Sequence, residues 1–397
     1  MVRPDLIAAL TATDADVCPP NFTDHVFKTA HSVPISVRVW PAPSHFTTPR
    51  PFLLWTHGGG WIGGAHFTPR PWLLPAFHAL GYHIIGNGYR LCPNVDVETS
   101  LNDCLDAVAW CRKELPGVIG EGRVDVERYG IVGESAGGHL VTLMATRLDP
   151  SPRVIIDIYG VVDLMDPRTG FATPPPSAYK PPSSPSTRDP SDDSEITEAE
   201  VLAALHDHDP SHALSDAVFS KADLTRPLTK NWKVDFPITH RIRLQLACQN
   251  YLATPGAKYV AFFHPERFSS HDEVIKFLKT MSPAQILEGE EYVSGRKKYP
   301  PTAFLHGTAD EPVPVEQTYA FDEQLRNLGV ETVVCIEEGG PHVFDHVYKV
   351  SLLLCALSGP SWQTANSYFF TTQSPDVTGW KEHIQPVVDF VQKHIEA

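Results

Sequence analysis

The stretch RYGIVGESAGGHLVTLMA, Arg128 to Ala145, decides how this chain is interpreted. Tyr129–Val132 is an apolar run with the length of a buried strand, and Ala136–Leu148 has the periodicity of a helix. Between them lies GESAG, Gly133 to Gly137, which has the pattern G-x-S-x-G. A strand that passes directly into a helix must turn sharply at Ser135, and the glycines on either side permit this turn. The turn exposes the hydroxyl at a helix N-terminus, which favours negative charge, so the pattern predicts a nucleophilic serine; an incidental serine in a glycine-rich turn is the alternative.

Short apolar runs recur along the rest of the chain and alternate with helical segments. The further strand-like runs and helix-like segments are Pro51–Trp55, Tyr82–Ile85, Val97–Leu115, Val154–Ile158, Thr302–Leu305, Val315–Leu328 and Thr332–Ile336. A looser alternation over Val26–Trp40 is typical of a strand pair at a sheet edge. Strands that alternate with helices predict an α/β protein with a mostly parallel central sheet covered by helices on both faces.

One region interrupts this alternation. Segment 166–195 is rich in Pro and Ser (TPPPSAYKPPSSPS) and is predicted to be mobile, because such a composition cannot bury enough apolar surface. The residues after it, up to Glu291, look mainly helical, with aromatic side chains in NWKVDF, NYLAT and YVAFFHPERF. We therefore predict a discontinuous core of residues 1–165 and 292–397, with 166–291 inserted as a helical cap or lid. A subdomain without a catalytic role is the alternative.

A second glycine-rich stretch, WTHGGGWIGG at Trp55–Gly64, follows another predicted strand. A serine that attacks an acyl carbonyl creates an oxyanion, and backbone N–H groups can approach that oxygen closely where side chains are absent. We predict that the amides of Gly59, Gly60 and Ala136 form the oxyanion hole, and that His57 orients the loop rather than transferring protons. A phosphate cradle is disfavoured, because HGGG lacks the lysine of a P-loop and GxGxxG is not matched.

The serine needs a base, and the base needs an acid that orients it. Asp310 in HGTADEPVP follows an apolar run; Glu311 is its adjacent competitor, and a helix-capping role for the aspartate is the alternative. Nineteen histidines offer a base. His342 in EEGGPHVFD lies on a glycine-flanked loop after the last predicted core strand, whereas His306 falls within or at the end of a strand. We predict Asp310 as the acid and His342 as the base.

Taken together, these motifs resemble the α/β-hydrolase superfamily, and most closely its branch of hormone-sensitive-lipase-like esterases. The matching stretches are HGGGW, GYRLCP with downstream Asp103 and Trp110, GESAGG, HGTADEPVP and GPHVF. The resemblance implies an α/β-hydrolase fold with a helical cap, and a serine esterase in which Ser135, Asp310 and His342 form the triad. Three features depart from the branch. Glu134 stands where an Asp is usual, the acid motif looks more like that of kynurenine formamidases, and the insertion is longer and richer in Pro than the usual cap.

The predicted reaction is hydrolysis of carboxylic esters with small to medium acyl groups through an acyl-enzyme, with no metal or cofactor. Trp61 and the aromatic residues of the insertion predict a mainly apolar substrate pocket. An arylformamidase-like amidase and a hydrolase that tailors a secondary metabolite are alternatives within the same chemistry. A lyase that uses the same oxyanion hole stays open. A non-catalytic small-molecule receptor on the same fold is the alternative from another class.

The composition argues against several classes of partner, so the predicted partner is the small-molecule ester substrate. The 32 basic and 47 acidic residues give a formal net charge of −15, which argues against nucleic acid and anionic membranes. The first twenty residues predict neither a signal peptide nor an anchor, and the apolar run Val350–Leu357 is too short for stable membrane insertion. Seven cysteines without CxxC spacing predict reduced thiols in a cytoplasmic protein. A homodimer stays open as the assembly.

Val350–Gln373 has no clear period and separates His342 from a closing helix predicted over Asp376–Ile395. Two hypotheses account for it: an intron retained in the gene prediction, or a genuine surface helix and loop. Sequencing the mature transcript decides between them.

Overall fold

The computed structural model describes residues 21–176, 196–218, 239–347 and 379–396. Its centre is an eight-stranded sheet formed by β1 (Thr23–Ala30), β2 (Val33–Trp40), β3 (Arg50–Thr56), β4 (His83–Asn87), β5 (Val124–Glu134), β6 (Val154–Ile158), β7 (Thr302–Gly307) and β8 (Thr332–Glu337). The strand order is β1-β2-β4-β3-β5-β6-β7-β8. β2 is antiparallel to both β1 and β4, and the remaining pairs are parallel. The predicted α/β class with a mostly parallel sheet is confirmed.

The central strands form where the sequence is continuously apolar. Every residue of β4, β6 and β7 is buried, as expected for parallel strands covered on both faces. The predicted bounds of β5 were too short, because the strand begins at Val124 instead of Tyr129. Of its first residues, VDVER, only Val124 is buried, and Val124 pairs with Arg50 of β3 ahead of a register shift between Arg50 and Phe52. An apolar-run criterion therefore misses the solvated end of the strand.

Helices cover both faces of the sheet. α1 (Leu73–His78) and the C-terminal α11 (Gln385–Glu396), which follows a π-helical turn at Trp380–Ile384, pack on one face. α2 (Val97–Ile119), α3 (Ala136–Met144) and α10 (Glu316–Asn327) pack on the other. α2 begins where the Asp96 carboxylate caps the Thr99 amide, and it extends four residues beyond its predicted end. α3 ends four residues before its predicted end.

Between β6 and β7, the described residues form helices and one isolated β-bridge. The helices are α4 (Glu198–Leu205), α5 (His240–Ala247), α6 (Ala257–Phe263), α7 (His271–Thr280), α8 (Pro283–Leu287) and α9 (Glu290–Val293). Short 3₁₀ turns lie at Pro167–Thr169, Pro210–His212, Cys248–Tyr251, Pro265–Arg267 and, after β8, Phe344–Val347. The bridge joins Ala217 to Gly64 of the second glycine-rich stretch. This insertion therefore contacts the same loop that carries HGGG.

Several predictions fall outside the described residues: most of the segment predicted to be mobile (177–195), the stretch NWKVDF, and Val350–Gln373 with the first residues of the closing helix. The described part of that Pro/Ser-rich segment, 166–176, carries a 3₁₀ turn and buries Phe171. The five cysteines in the described ranges are free and buried. Among the helices of those ranges, none is long and apolar enough to cross a bilayer.

Candidate active site

Ser135 lies at the junction of β5 and α3 in a backbone conformation that residues with side chains rarely adopt, with φ 53° and ψ −118°. Its amide donates to the carbonyl of Ile158 at the end of β6 (2.8 Å). A Cβ atom on Gly133 would lie 2.2 Å from the Gly137 carbonyl oxygen, and one on Gly137 would lie 2.1 Å from the Thr56 carbonyl oxygen. Both glycines of G-x-S-x-G are therefore required by backbone contact, and the turn presents the Ser135 hydroxyl to the cavity.

His342 and Asp310 come from the loops after β8 and β7 and meet Ser135 at the same edge of the sheet. His342 Nε2 lies 3.0 Å from Ser135 Oγ. His342 Nδ1 donates to Asp310 Oδ2 at 2.6 Å. Glu311, the adjacent competitor, is exposed. The structure thus brings the three predicted residues into one hydrogen-bonded chain.

Asp310 is held by its own loop. Its Oδ1 accepts the Val313 amide (2.8 Å), and its Oδ2 lies 3.3 Å from His306 Nε2. His306 is fully buried at the end of β7, where Thr318 also contacts its ring (2.7 Å). Burial raises the pKa of Asp310, but hydrogen bonds from His306 and His342 outweigh it and hold that pKa below its ordinary value. Sequence reasoning excluded His306 as the base but missed its contact with the acid.

Hydrogen bonds to the carbonyls of Gly58 and Gly59 fix the peptide planes of the HGGG loop. His57 Nδ1 donates to the Gly58 carbonyl (2.8 Å), and because the peptide is planar this contact fixes the direction of the Gly59 N–H. The Gly59 carbonyl accepts two backbone amides (3.1 and 2.9 Å) and the Gln249 side chain (2.7 Å), which fixes the Gly60 N–H in the same way. Gly59 and Gly60 have φ values of 111° and 62°, a region that favours glycine.

The three predicted oxyanion donors are free to bind a ligand. The N–H groups of Gly59, Gly60 and Ala136 donate to no acceptor in the described part of the chain. All three residues line the same cavity as Ser135 and His342. The arrangement can therefore present backbone donors to an oxygen that develops charge next to the serine.

The environment of His57 suits a structural role in the glycine loop. Its side chain is buried, and burial lowers its pKa to about 4, so the imidazole is neutral near pH 7. The ring stacks on Tyr89 with centroids 4.3 Å apart, and the Tyr89 hydroxyl donates to the His57 carbonyl (3.0 Å). The geometry fits the orienting role that the sequence predicts.

Glu134 ties the two glycine motifs together, a role that sequence reasoning missed. Its carboxylate accepts the Gly58 amide (3.1 Å) and the indole N–H of Trp55 (2.5 Å). Arg70 Nε lies 3.5 Å from the same carboxylate. Burial raises the pKa of Glu134, and the Arg70 charge and the two hydrogen bonds oppose this. Glu134 thus anchors the first peptide of HGGG. In the sequence, only its position next to Ser135 could have indicated this role.

A buried polar network continues behind His342. Arg70 Nε lies 3.7 Å from Asp345 Oδ2, which accepts the Trp72 indole N–H (2.9 Å). Asp345 Oδ1 accepts the Tyr159 hydroxyl (2.8 Å), and the Tyr159 ring lies 4.7 Å from the His342 ring. The spacing of Asp345 three residues after His342 could have indicated this contact, but no motif in the sequence singles it out.

The cavity above Ser135 has a volume of about 660 Å³, within the range of small-molecule sites. Its larger apolar lining residues include Trp61, Val161, Phe171, Val218, Leu252, Phe262 and Val313. Trp61 packs edge-on against Phe171 and Phe262, with centroids 5.5 and 5.1 Å apart. Core loop and inserted helices therefore share one mainly apolar pocket.

A metal site is not supported where the described residues come nearest to forming one. The ligand atoms of His208, His264 and Glu266 lie within 4.8 Å of one another. However, the two imidazoles are stacked, with centroids 3.7 Å and planes 10° apart, so their in-plane lone pairs cannot converge on one ion. His264 Nε2 also contacts the Pro93 carbonyl (2.8 Å).

Comparison with known proteins agrees with this geometry. The profile of a family described as alpha/beta hydrolase fold matches residues 53–229, which include both glycine motifs and Ser135. This part of the chain is therefore similar to that family, and its fold is the α/β-hydrolase fold. A thermophilic esterase from Thermogutta terrifontis, Est2, shares this fold with a TM-score of 0.51 and 17% identity, over 94% of this chain and 92% of that one. The motif-based resemblance is confirmed for the α/β-hydrolase fold, while the esterase branch and the kynurenine-formamidase-like character stay predictions.

The curated relatives that this chain matches are much longer proteins. It is 28% identical over 314 residues to a non-reducing polyketide synthase of Aspergillus terreus, and 27% identical over 361 residues to one of Emericella nidulans. These matches cover 75% and 85% of this chain, which spans 12% and 13% of the relatives' lengths.

Proposed function

We propose that this α/β-hydrolase is a serine hydrolase that cleaves carboxylic esters of small to medium acyl groups. Ser135 is the nucleophile, His342 the general base and acid, and Asp310 the carboxylate that orients the imidazole. The observation that carries the proposal is the contact chain Ser135–His342–Asp310, with distances of 3.0 and 2.6 Å, at the floor of an apolar cavity.

Acylation begins when Ser135 Oγ attacks the ester carbonyl and its proton passes to His342 Nε2. The new Oγ–C bond leaves the former carbonyl oxygen negative. The amides of Gly59, Gly60 and Ala136 then bind that oxygen, and the loss of one such donor typically costs about 3 kcal/mol. When the C–O bond to the alcohol breaks, His342 returns the proton to the leaving oxygen.

Deacylation repeats these steps with water. His342 removes a proton from water as its oxygen attacks the acyl carbon, the oxyanion forms again in the same place, and Ser135 leaves with the proton that His342 supplies. Asp310 stabilises the imidazolium that forms in each half-reaction. Its pKa, held below the ordinary value, keeps it ionised for that task.

Similarity to polyketide synthases favours a second candidate within the same chemistry. The matched segments of those synthases span most of this chain, so a polyketide ester or thioester is a reasonable substrate for it. Ser135 would attack the thioester carbonyl in the same way, with a thiolate as the leaving group. A cytoplasmic location belongs to this proposal and is supported by the five free cysteines of the described ranges.

The test compares wild-type protein with Ser135→Ala on 4-nitrophenyl acetate, butyrate and hexanoate, an aromatic N-acetylcysteamine thioester, and N-formylkynurenine. We expect ester turnover by the wild type and a loss of at least about 10³-fold in the variant. Preference for the thioester would favour the second candidate, and preference for N-formylkynurenine would favour an amidase. Ester hydrolysis that is unchanged in Ser135→Ala would refute the proposal.

A further inference from the structure

Two cationic side chains line the cavity, and they differ in their partners. Arg70 lies between the carboxylates of Glu134 and Asp345 (3.5 and 3.7 Å). Lys258, at the start of α6, has no carboxylate at ion-pair distance within the described ranges. Its Nζ donates one hydrogen bond, to the Thr169 carbonyl (2.7 Å). Because an ammonium carries three donors, Lys258 retains capacity for a ligand.

The surroundings of Lys258 favour the binding of an anion by its ammonium group. The ammonium lies 4.8 Å from the Phe171 ring centroid, and Phe171 contacts Trp61. Burial lowers the pKa of the Lys258 ammonium, and no carboxylate of the described ranges opposes this shift. A partly desolvated cation without a counter-ion gains more from an anionic ligand than a solvated one does.

Trp61 adds an independent observation on the same wall. Its side chain is 3% exposed, and its indole N–H finds no acceptor in the part of the chain that the structure describes. Buried donors of this kind are normally paired, so an unpaired one beside a pocket indicates an acceptor that arrives with the ligand. Lys258 and Trp61 both flank Phe171, so a flat or extended apolar group against that ring could place an anionic end near both donors.

We propose that Lys258 selects esters whose acyl part has an apolar or aromatic body and ends in a carboxylate. The inference rests on the proposed function, in which Ser135 cleaves the ester. A local cation matters here because the formal net charge of −15 gives no general attraction for anions, and charges more than about 8 Å away are largely screened at physiological salt.

The experiment uses two esters that differ at the far end of the acyl chain: mono-4-nitrophenyl adipate, which ends in a carboxylate, and 4-nitrophenyl hexanoate, which ends in a methyl group. The kcat/KM ratio of adipate to hexanoate is measured for the wild type, Lys258→Met and Lys258→Arg. Lys276→Met is the matched control, because Lys276 is exposed on α7 and does not line the cavity. Titration with a fluorophosphonate counts the competent sites in each preparation.

We expect Lys258→Met to lower the adipate-to-hexanoate ratio by about tenfold or more, in line with the loss of a charge-assisted hydrogen bond. Lys258→Arg should keep most of the ratio, and Lys276→Met should keep all of it. A ratio that is equal in the wild type and Lys258→Met would overturn the inference and show that Lys258 only anchors the Thr169 carbonyl. If the wild type hydrolyses neither ester and takes up no fluorophosphonate, the proposed function itself fails and the inference fails with it.

Discussion

The core and the insertion reach the Ser135 cavity by different physical means. On the core side, backbone fits against backbone: a Cβ on Gly137 would lie 2.1 Å from the Thr56 carbonyl, and Ser135 is held at φ 53°. On the insertion side, one backbone bridge joins Ala217 to Gly64, but the cavity itself is lined by side chains such as those of Gln249, which donates to the Gly59 carbonyl, and Lys258. Side chains can be exchanged without rebuilding a turn, so we expect substitutions in the insertion to alter substrate preference and substitutions in the core to alter the proposed chemistry.

The largest expected effect lies in the core, at the acid. Asp310→Asn should lower kcat by roughly 10³–10⁴-fold, because an amide at this position no longer fixes the imidazole tautomer or stabilises the imidazolium. Glu311→Gln is the matched control, since Glu311 is exposed and outside the contact chain. Initial rates on 4-nitrophenyl butyrate measure both. Equal activity of Asp310→Asn and the wild type would exclude a role for Asp310 in orienting or stabilising His342.

Glycine-to-alanine changes should separate the tightly packed elbow from an ordinary helix. Gly137→Ala should destabilise the protein by at least about 3 kcal/mol, because its Cβ would overlap the Thr56 carbonyl. Gly117→Ala, in α2, should stabilise it by about 0.5–1 kcal/mol, because its Cβ would meet nothing within 4 Å. Urea unfolding midpoints give both values. Similar effects of the two substitutions would contradict the close-packed elbow.

The stability contributed by the contact between His66 of the core and Asp216 of the insertion should depend on pH. His66 Nδ1 lies 2.8 Å from Asp216, which belongs to the insertion, and His66 Nε2 lies 3.8 Å from Asp24 of β1. Burial lowers the pKa of His66, but the two carboxylates more than reverse this and raise it to about 9. A raised folded-state pKa stabilises the protein fully below the unfolded value of 6.5, and this contribution is lost as the pH rises from there to about 9.

The expected loss over that interval is up to about 3 kcal/mol in the free energy of unfolding. Urea titrations at pH 6 and pH 9.5 measure it in the wild type and in His66→Asn. The variant should lack this component of the pH dependence. The same fall in stability in both proteins would show that His66 is not the group responsible.

The smallest effect is expected where the insertion touches the oxyanion loop. Gln249→Leu removes one of three donors to the Gly59 carbonyl, so kcat should fall about fivefold, equivalent to about 1 kcal/mol. Gln324→Leu is the control, because it loses a similar bond to the Ala284 carbonyl away from the cavity (2.9 Å). Steady-state kinetics separates kcat from KM. A fall in KM alone, or equal changes in both variants, would exclude a positioning role for Gln249.

The same division between core and insertion explains what the sequence could predict. The apolar runs of β4, β6 and β7 and the turn at Ser135 are local patterns, so they predict the sheet and place Ser135, Asp310 and His342 in the correct loops. The start of β5 was missed because its solvated residues, from Asp125 to Arg128, do not form an apolar run.

Contacts that join distant parts of the chain have no local pattern. The Gln249 side chain donates to the Gly59 carbonyl, 190 residues away in the sequence, and Lys258 donates to the Thr169 carbonyl, 89 residues away. Nothing in the composition of the inserted helices indicates either contact. The three residues of the Ser135–His342–Asp310 contact chain could therefore be predicted from short motifs, whereas the contacts of Gln249 and Lys258 required the folded structure.

The most direct test of the central claim is intact-mass analysis after treatment with a fluorophosphonate. We expect one adduct per chain in the wild type, located on the peptide that contains Ser135, and no adduct in Ser135→Ala. An adduct that persists in Ser135→Ala, or a wild-type protein that takes up no reagent while correctly folded, would contradict the assignment of Ser135 as the nucleophile.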